Sequence, residues 1–262
     1  MTSVPRLAVK VHEGVGPPLL LVHGLLASRA VWTPNLPALA RVARPVVVEL
    51  WGHGRSPVPE DTRLYHPDAY VVELDRIRAE LGAERWFVCG LSLGAALTIR
   101  YALDRPDRVI GHVFTNSSSA FGDAQWVENL GPVLAADAER IVARGRHALE
   151  NHPLNPGRGR RLPPEVRKRL AADCARHDPV GVARTLLHTV PASPVRDRIH
   201  TNERPALLVA GRFEAAFADH CAHAAVTMPR LQVVDADAGH AVNLEAGSTF
   251  DDAVAAFVRY HA

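Results

Sequence analysis

The sequence predicts an α/β domain: a mostly parallel sheet with helices on both faces, broken by one helical insertion. Three observations carry this. Short apolar runs over 18–23, 45–50, 86–89, 109–115, 205–210 and 231–235 recur along the chain, separated by stretches of helical period. Several runs end in glycine-bearing turns, His23-Gly24, Trp51-Gly52-His53-Gly54 and Gly90-Leu91-Ser92-Leu93-Gly94 among them. Between 117 and 198 the alternation lapses and only helical patterns remain.

Each element follows from its residues. Residues 7–12 alternate loosely and read as an edge strand. The unbroken apolar run 18–23 is the mark of a strand buried on both faces. Ser28 suits a helix N-cap, with Val31, Trp32, Leu36 and Leu39 as the buried face of one helix. Strand 45–50 comes next, then the loop 51–56. A helix begins at Pro67 or Asp68, carries Val71, Leu74, Ile77 and Leu81, and stops at Gly82. Strand 86–89 leads into a helix that reaches Leu103, before Pro106, and strand 109–115 follows. Beyond it Trp126, Leu130, Val133 and Leu134 fit one helix, and Ile141, Val142 and Leu149 another. Leu170, Cys174, Val182, Leu186 and Leu187 mark further helices. Strand 205–210, a helix over 217–227, strand 231–235 and an amphipathic helix over 248–260 close the chain. The division is a core of residues 1–116 and 199–262 with a helical lid over 117–198.

Composition narrows the function classes. The 262 residues are 47% hydrophobic and 22% charged, with net charge +2, so nothing global points to nucleic acid. Cys89, Cys174 and Cys221 are odd in number and widely spaced. They suggest neither a disulfide framework nor a metal site, which fits a reducing compartment. No signal peptide is read in residues 1–16 and no window has the length of a membrane span, so the expectation is a cytoplasmic protein without a membrane partner. The 14 histidines are scattered, and no metal or other cofactor is expected. The expected partner is a small-molecule substrate, with a homodimer left open. The insertion holds 13 Lys and Arg against 9 Asp and Glu. A solvated helical surface accounts for that excess; a site for anionic substrates is the alternative.

Gly90-Leu91-Ser92-Leu93-Gly94 carries the chemistry. A serine between a strand and a helix, flanked by glycines at minus two and plus two, sits on a strained turn with its hydroxyl thrust above the sheet edge. Alone, those residues would also suit a serine capping an ordinary βα turn. The remaining motifs agree with the first reading. With them the chain resembles the α/β-hydrolase family, on the side of its lidded serine esterases and of the hydrolases that split carbon–carbon bonds in meta-cleavage products. The resemblance spans nearly the whole chain, the lid excepted.

It implies a nucleophile, an acid and a histidine in that order. The chain supplies Ser92, Glu214 and His240. His240 follows Gly239 after a predicted strand. The family's acid is usually aspartate three residues past the glycine that ends the preceding strand; here Glu214 holds that place after Gly211. Asp219, Asp235 and Asp237 are the rivals, and the last two lie so near His240 in sequence that geometry disfavours them. The oxyanion hole would be formed by the backbone N–H groups of Leu25 and Leu93. His23 reads as a loop-holding residue, and His53 and Gly54 match the family's G-H-G-x-S loop, which shapes the fold. Trp51 either packs or lines the pocket. Leu26, Trp32, Phe121, Trp126, Phe217 and Val242 are candidates for an apolar substrate wall or for plain core.

The expected reaction is cleavage of an ester-like bond of a small, largely apolar substrate through an acyl-enzyme. Carbon–carbon, lactone or thioester hydrolysis, or a lyase step, would suit the same scaffold. A slow-turnover ligand-binding receptor is the alternative from another class.

Overall fold

The computed structural model describes residues 5–262. Seven strands, β1 (Ala8–Val11), β2 (Pro18–Val22), β3 (Arg44–Glu49), β4 (Trp86–Gly90), β5 (Val109–Thr115), β6 (Ala206–Gly211) and β7 (Leu231–Ala236), form one sheet. Their order is β1-β3-β2-β4-β5-β6-β7. The edge strand β1 runs antiparallel to β3, and every other pair is parallel. The chain winds outward from β2 to β3, returns across β2 to lay down β4, and proceeds to β7. β2 and β4 are thereby neighbours, with Val22 opposite Gly90. The crevice beyond the carboxyl ends of strands at such a reversal is where sheets of this type bind ligands.

The apolar runs resolve into two faces because side chains alternate along a strand. Leu20 and Val22 join Val46, Val48 and Val88 in a core with Leu74 and Ile77 of helix Pro67–Glu80 and Leu97 of helix Leu93–Asp104. Leu19 and Leu21 point the other way, onto Phe87 and onto Phe250, Val254 and Phe257 of helix Gly247–His261. Each such side chain withdrawn from water contributes about 1.5–3 kcal/mol. β2 and β4 are buried along their whole length. β6, which leads to Glu214, is likewise buried throughout, so these three strands hold the loops that follow them on a fixed base.

Two expectations are corrected. The single helix expected after Ser28 is two short pieces, a 3₁₀ turn Arg29–Trp32 and a helix Leu36–Leu39. Pro34 and Pro37 have no N–H to extend a ladder there. Ser28 does cap the first piece, accepting the Ala30 amide. The two helices expected over 126–149 are instead one long helix, Ala124–Arg144, that runs through Pro132, with Leu149 in a separate short turn, Arg146–Glu150. Pro132 is exposed, so water can take the carbonyl it leaves unpaired.

Between β5 and β6 the regular structure is entirely helical, including Pro164–Cys174 and Pro179–Arg184. This insert is bound to the sheet's loops on one side. Asp173 accepts from Ser28 Oγ and from Arg55, the latter at 3.2 Å. The Asp178 amide donates to Gly52 O at 2.9 Å. Among the described residues no helix is long and apolar enough to cross a membrane.

Candidate active site

Ser92 has φ 54° and ψ −119°, in the left-handed region, at the head of helix Leu93–Asp104. A non-glycine residue held there costs about 1–3 kcal/mol, so its surroundings must fix it. They do so from both ends. The Leu91 amide donates to Val22 O at 3.0 Å. Ser117 Oγ donates to Ser92 O at 2.7 Å. The flanking glycines leave no room for alternatives. A Cβ on Gly90 would lie 2.3 Å from Gly94 O, and one on Gly94 would lie 2.2 Å from Val22 O.

The loop after β2 passes over this serine. A Cβ on Gly24 would come within 2.9 Å of Ser92 Cβ. The backbone of the loop is held by three buried histidines. His23 Nδ1–H donates to Gly24 O at 2.8 Å, and its Nε2 accepts from the Leu50 amide at 3.0 Å. Leu26 sits at φ 56°. Its amide donates to His53 Nε2 at 3.3 Å, and its carbonyl accepts from His177 Nε2–H at 3.1 Å. The rings follow one another in a row, tilted by 50° and 57°, with centroids 5.4 Å apart for His23 and His53 and 5.1 Å apart for His53 and His177. These contacts require neutral imidazoles, each with one donor and one acceptor nitrogen. Burial enforces that state, lowering His23 to about 3 and His177 to about 4, and holding His53 well below its ordinary value. With Leu26 fixed at both polar groups, the Leu25 peptide is fixed too. Among the described residues, neither the Leu25 nor the Leu93 amide donates to any backbone or side-chain acceptor.

The loop after β7 brings His240 to the same cavity. Its Nδ1–H donates to both carboxylate oxygens of Glu214, at 2.9 and 3.0 Å. Glu214 is fixed in turn by Asn116, whose Nδ2 donates to Oε2 at 2.8 Å. The same amide donates to Gly211 O and accepts from the Gly211 N–H, so it is locked to the end of β6. Burial pushes the Glu214 carboxyl up, but the hydrogen bonds and charge of His240 and the Asn116 bond outweigh it, leaving the group below its usual range. The rival aspartates stand elsewhere: Asp237 pairs with Arg212 at 2.6 Å, and neither Asp219 nor Asp235 bonds His240. His240 bonds Glu214 and forms no hydrogen bond with Ser92 Oγ.

Ser92, Leu25, Leu93, Glu214 and His240 all line one cavity of about 580 Å³ between the sheet and the insert. Its walls are mostly apolar, with Trp126, Leu130, Leu134, Leu186 and Val190 supplied by the insert. Of the six residues expected as substrate wall, Trp126 lines the cavity. The other five do not, and they are core. Trp32 packs on Phe250 at 6.1 Å. Phe121 is sandwiched by Phe114 and Phe217, each at 6.0 Å. Val242 is buried in the layer of helix Gly247–His261, and Leu26 is turned into the opposite core. Their loops neighbour the site, but their side chains complete the packing behind it. Trp51 packs as well, on Tyr70.

Sequence reasoning missed Asn116, Ser117, His177 and Glu245. The first two follow β5 directly, and a polar pair at the carboxyl end of a buried strand is a usable signal. His177 has no local signature, because only the tertiary fold brings it to its loop, 151 residues away. Glu245 lies five residues after His240 in the chain, so nearness in sequence was a signal there.

A family model described as alpha/beta hydrolase fold matches residues 17–247. The chain is 25% identical to Carboxylesterase YbfK of Bacillus subtilis (strain 168), over 92% of this chain and 80% of that protein. Among solved structures, a thermophilic esterase from Thermogutta terrifontis is 25% identical, with a TM-score of 0.83 over 98% of this chain and 94% of that one. MenH from S. aureus, 19% identical, shares the fold with a TM-score of 0.85 over 97% and 98% of the two chains. On the sheet order, the elbow and a match over most of its length, the chain belongs to the α/β-hydrolase fold family.

Proposed function

We propose that this chain is a serine hydrolase that cleaves an ester bond of a small, largely apolar substrate, with Ser92 as nucleophile, His240 as base and Glu214 as the orienting acid. The observation that carries the reading is the convergence at one cavity: a serine held in a left-handed turn, two free amides beside it, and an imidazole braced by a carboxylate.

The chemistry follows from those positions. With Nδ1–H committed to Glu214, Nε2 is the nitrogen free to take a proton. Ser92 Oγ attacks the carbonyl carbon as its proton passes to Nε2. The carbonyl oxygen becomes an oxyanion and accepts from the Leu25 and Leu93 amides. Collapse breaks the bond to the alcohol oxygen, which leaves with the proton from Nε2. Water then attacks the acyl-enzyme, giving its proton to His240, and the acid departs as Ser92 regains its proton. Glu214 stabilises the imidazolium throughout. No step calls for a metal or an organic cofactor. The insert, residues 117–198, acts as the lid, since it supplies most of the apolar wall. Free thiols at Cys89, Cys174 and Cys221 support a cytoplasmic setting.

The test is turnover of a panel of p-nitrophenyl esters, lactones and thioesters by the wild type and by Ser92→Ala. Loss of the nucleophile is expected to cost about 10⁴- to 10⁶-fold in kcat, with the fold intact. A fluorophosphonate is expected to label Ser92. An active alanine variant, or labelling elsewhere, refutes the assignment.

A further inference from the structure

We infer that Glu245 is a positioning residue for His240, and that Arg161 of the helical insert acts on the same histidine through Glu245. The inference rests on the serine-hydrolase reading above and adds a route by which the insert governs the base.

Glu245 lies five residues beyond His240, at the end of the short helix Val242–Glu245, with its side chain 12% exposed. Its carboxylate turns back on the histidine loop. Oε2 accepts from the Gly239 amide at 2.7 Å, and Oε1 accepts from the Ala241 amide at 3.4 Å. The two residues that flank His240 are thus tied to one carboxylate, and the loop between them has little freedom left. Glu214 fixes the imidazole's rotation; Glu245 fixes the backbone from which it projects.

The carboxylate also has a cationic neighbour. Arg161 reaches it from the insert, with Nη1 3.6 Å from Oε2. The same guanidinium lies over the Phe213 ring, 4.9 Å from its centroid, next to Glu214 in the chain. One insert side chain therefore touches both loops that carry the acid and the base. Elsewhere the insert is bound through Asp173, His177 and Asp178 to the loops at 24–28 and 50–55, on the oxyanion side. That attachment is buried and multiple. The contact at Arg161 is half in water and long for an ion pair, so it adds little to stability. A weak contact across a cavity mouth is suited to responding when a substrate spreads or draws in the insert. Arg161 then loads or releases Glu245, and the position of His240 follows.

The experiment is steady-state kinetics on a p-nitrophenyl ester for wild type, Glu245→Ala, Glu245→Gln, Arg161→Ala and the two double variants, each checked by thermal melting. Glu245→Ala is expected to lower kcat by about 10²-fold, the scale of an ångström's misplacement of a reacting group, with KM little changed. Glu245→Gln keeps an amide oxygen for the Gly239 N–H and is expected to recover most of that loss. Arg161→Ala is expected to lose part of kcat in the wild type and nothing further in either Glu245 variant, since two residues acting in series are not additive. Should Glu245→Ala fail to fold, Glu245→Gln with and without Arg161 gives the same comparison. Wild-type kcat in Glu245→Ala, or an Arg161→Ala loss of equal factor on every background, overturns the inference while fluorophosphonate labelling of Ser92 still stands. A wild type that the fluorophosphonate does not label overturns both readings together.

Discussion

Acidification from about pH 7 to 5 is expected to destabilise this fold steeply, through four histidines that stay neutral when folded. His23, His53, His112 and His177 are buried. Burial lowers His23 to about 3 and His112 and His177 to about 4, and puts His53 well below its ordinary value. Unfolded histidine titrates near about 6.5. Above that pH neither state holds the protons and these groups leave stability unchanged. Below it the unfolded chain binds four protons that the folded chain refuses. Stability falls with pH until the folded groups titrate, at about 4 to 3. Asp251 works in the opposite sense, since burial raises its carboxyl to about 6 and the folded state takes up that proton first. For these five groups the net difference near pH 5 is about three protons, each worth about 1.4 kcal/mol per pH unit, or about 4 kcal/mol per unit together. His12, His152, His220, His223 and His261, which burial also lowers, act in the same direction. Against a domain stability of about 5–15 kcal/mol, one or two pH units are decisive.

Urea unfolding followed by tryptophan fluorescence at about half-unit steps from pH 7 to 5 measures that slope through the linkage relation. His112→Gln isolates one proton. His112 Nε2–H donates to Asn202 Oδ1 at 3.1 Å, a bond that the glutamine amide can keep, while its Nδ1 has no partner among the described residues. The variant is expected to reduce the slope by about 1.4 kcal/mol per pH unit. A wild-type slope of about one proton or less, or an unchanged slope in His112→Gln, refutes the reasoning.

Three further outcomes are expected. Glu214→Gln, which keeps the shape and removes the charge, is expected to lower kcat by about 10²- to 10⁴-fold, with partial recovery in Glu214→Asp and no comparable loss in Asp219→Asn or Asp235→Asn; ester kinetics on the four variants decides it. Asn116→Ala is expected to lower kcat by up to about 10²-fold by freeing the Glu214 carboxylate, and equal kcat would show that His240 alone suffices to hold it. Trp126→Ala is expected to shift kcat/KM toward longer acyl chains by enlarging the wall it forms, and an unchanged chain-length profile would remove Trp126 from the substrate's path.

The sequence by itself determined the elements whose signal is local. Strand β2 is legible as five apolar residues before His23-Gly24, and the elbow as a serine between glycines that only a tight strand-to-helix turn requires. Once those turns were legible, the resemblance to the α/β-hydrolase family that they carry pointed to Glu214 and to the amides of Leu25 and Leu93. What needed the tertiary structure was everything set by packing between distant segments. Trp32, Phe121, Phe217 and Val242 are as apolar as Trp126, and composition cannot tell a cavity wall from the core behind it; only the seating of the insert over β2 and β4 made that choice. The same holds for His177, 151 residues from the Leu26 carbonyl it supports, and for Asn116, 98 residues from Glu214. Such contacts leave no period or spacing in the chain. They exist because burial leaves each polar group on these loops dependent on a partner that folding alone can bring to it.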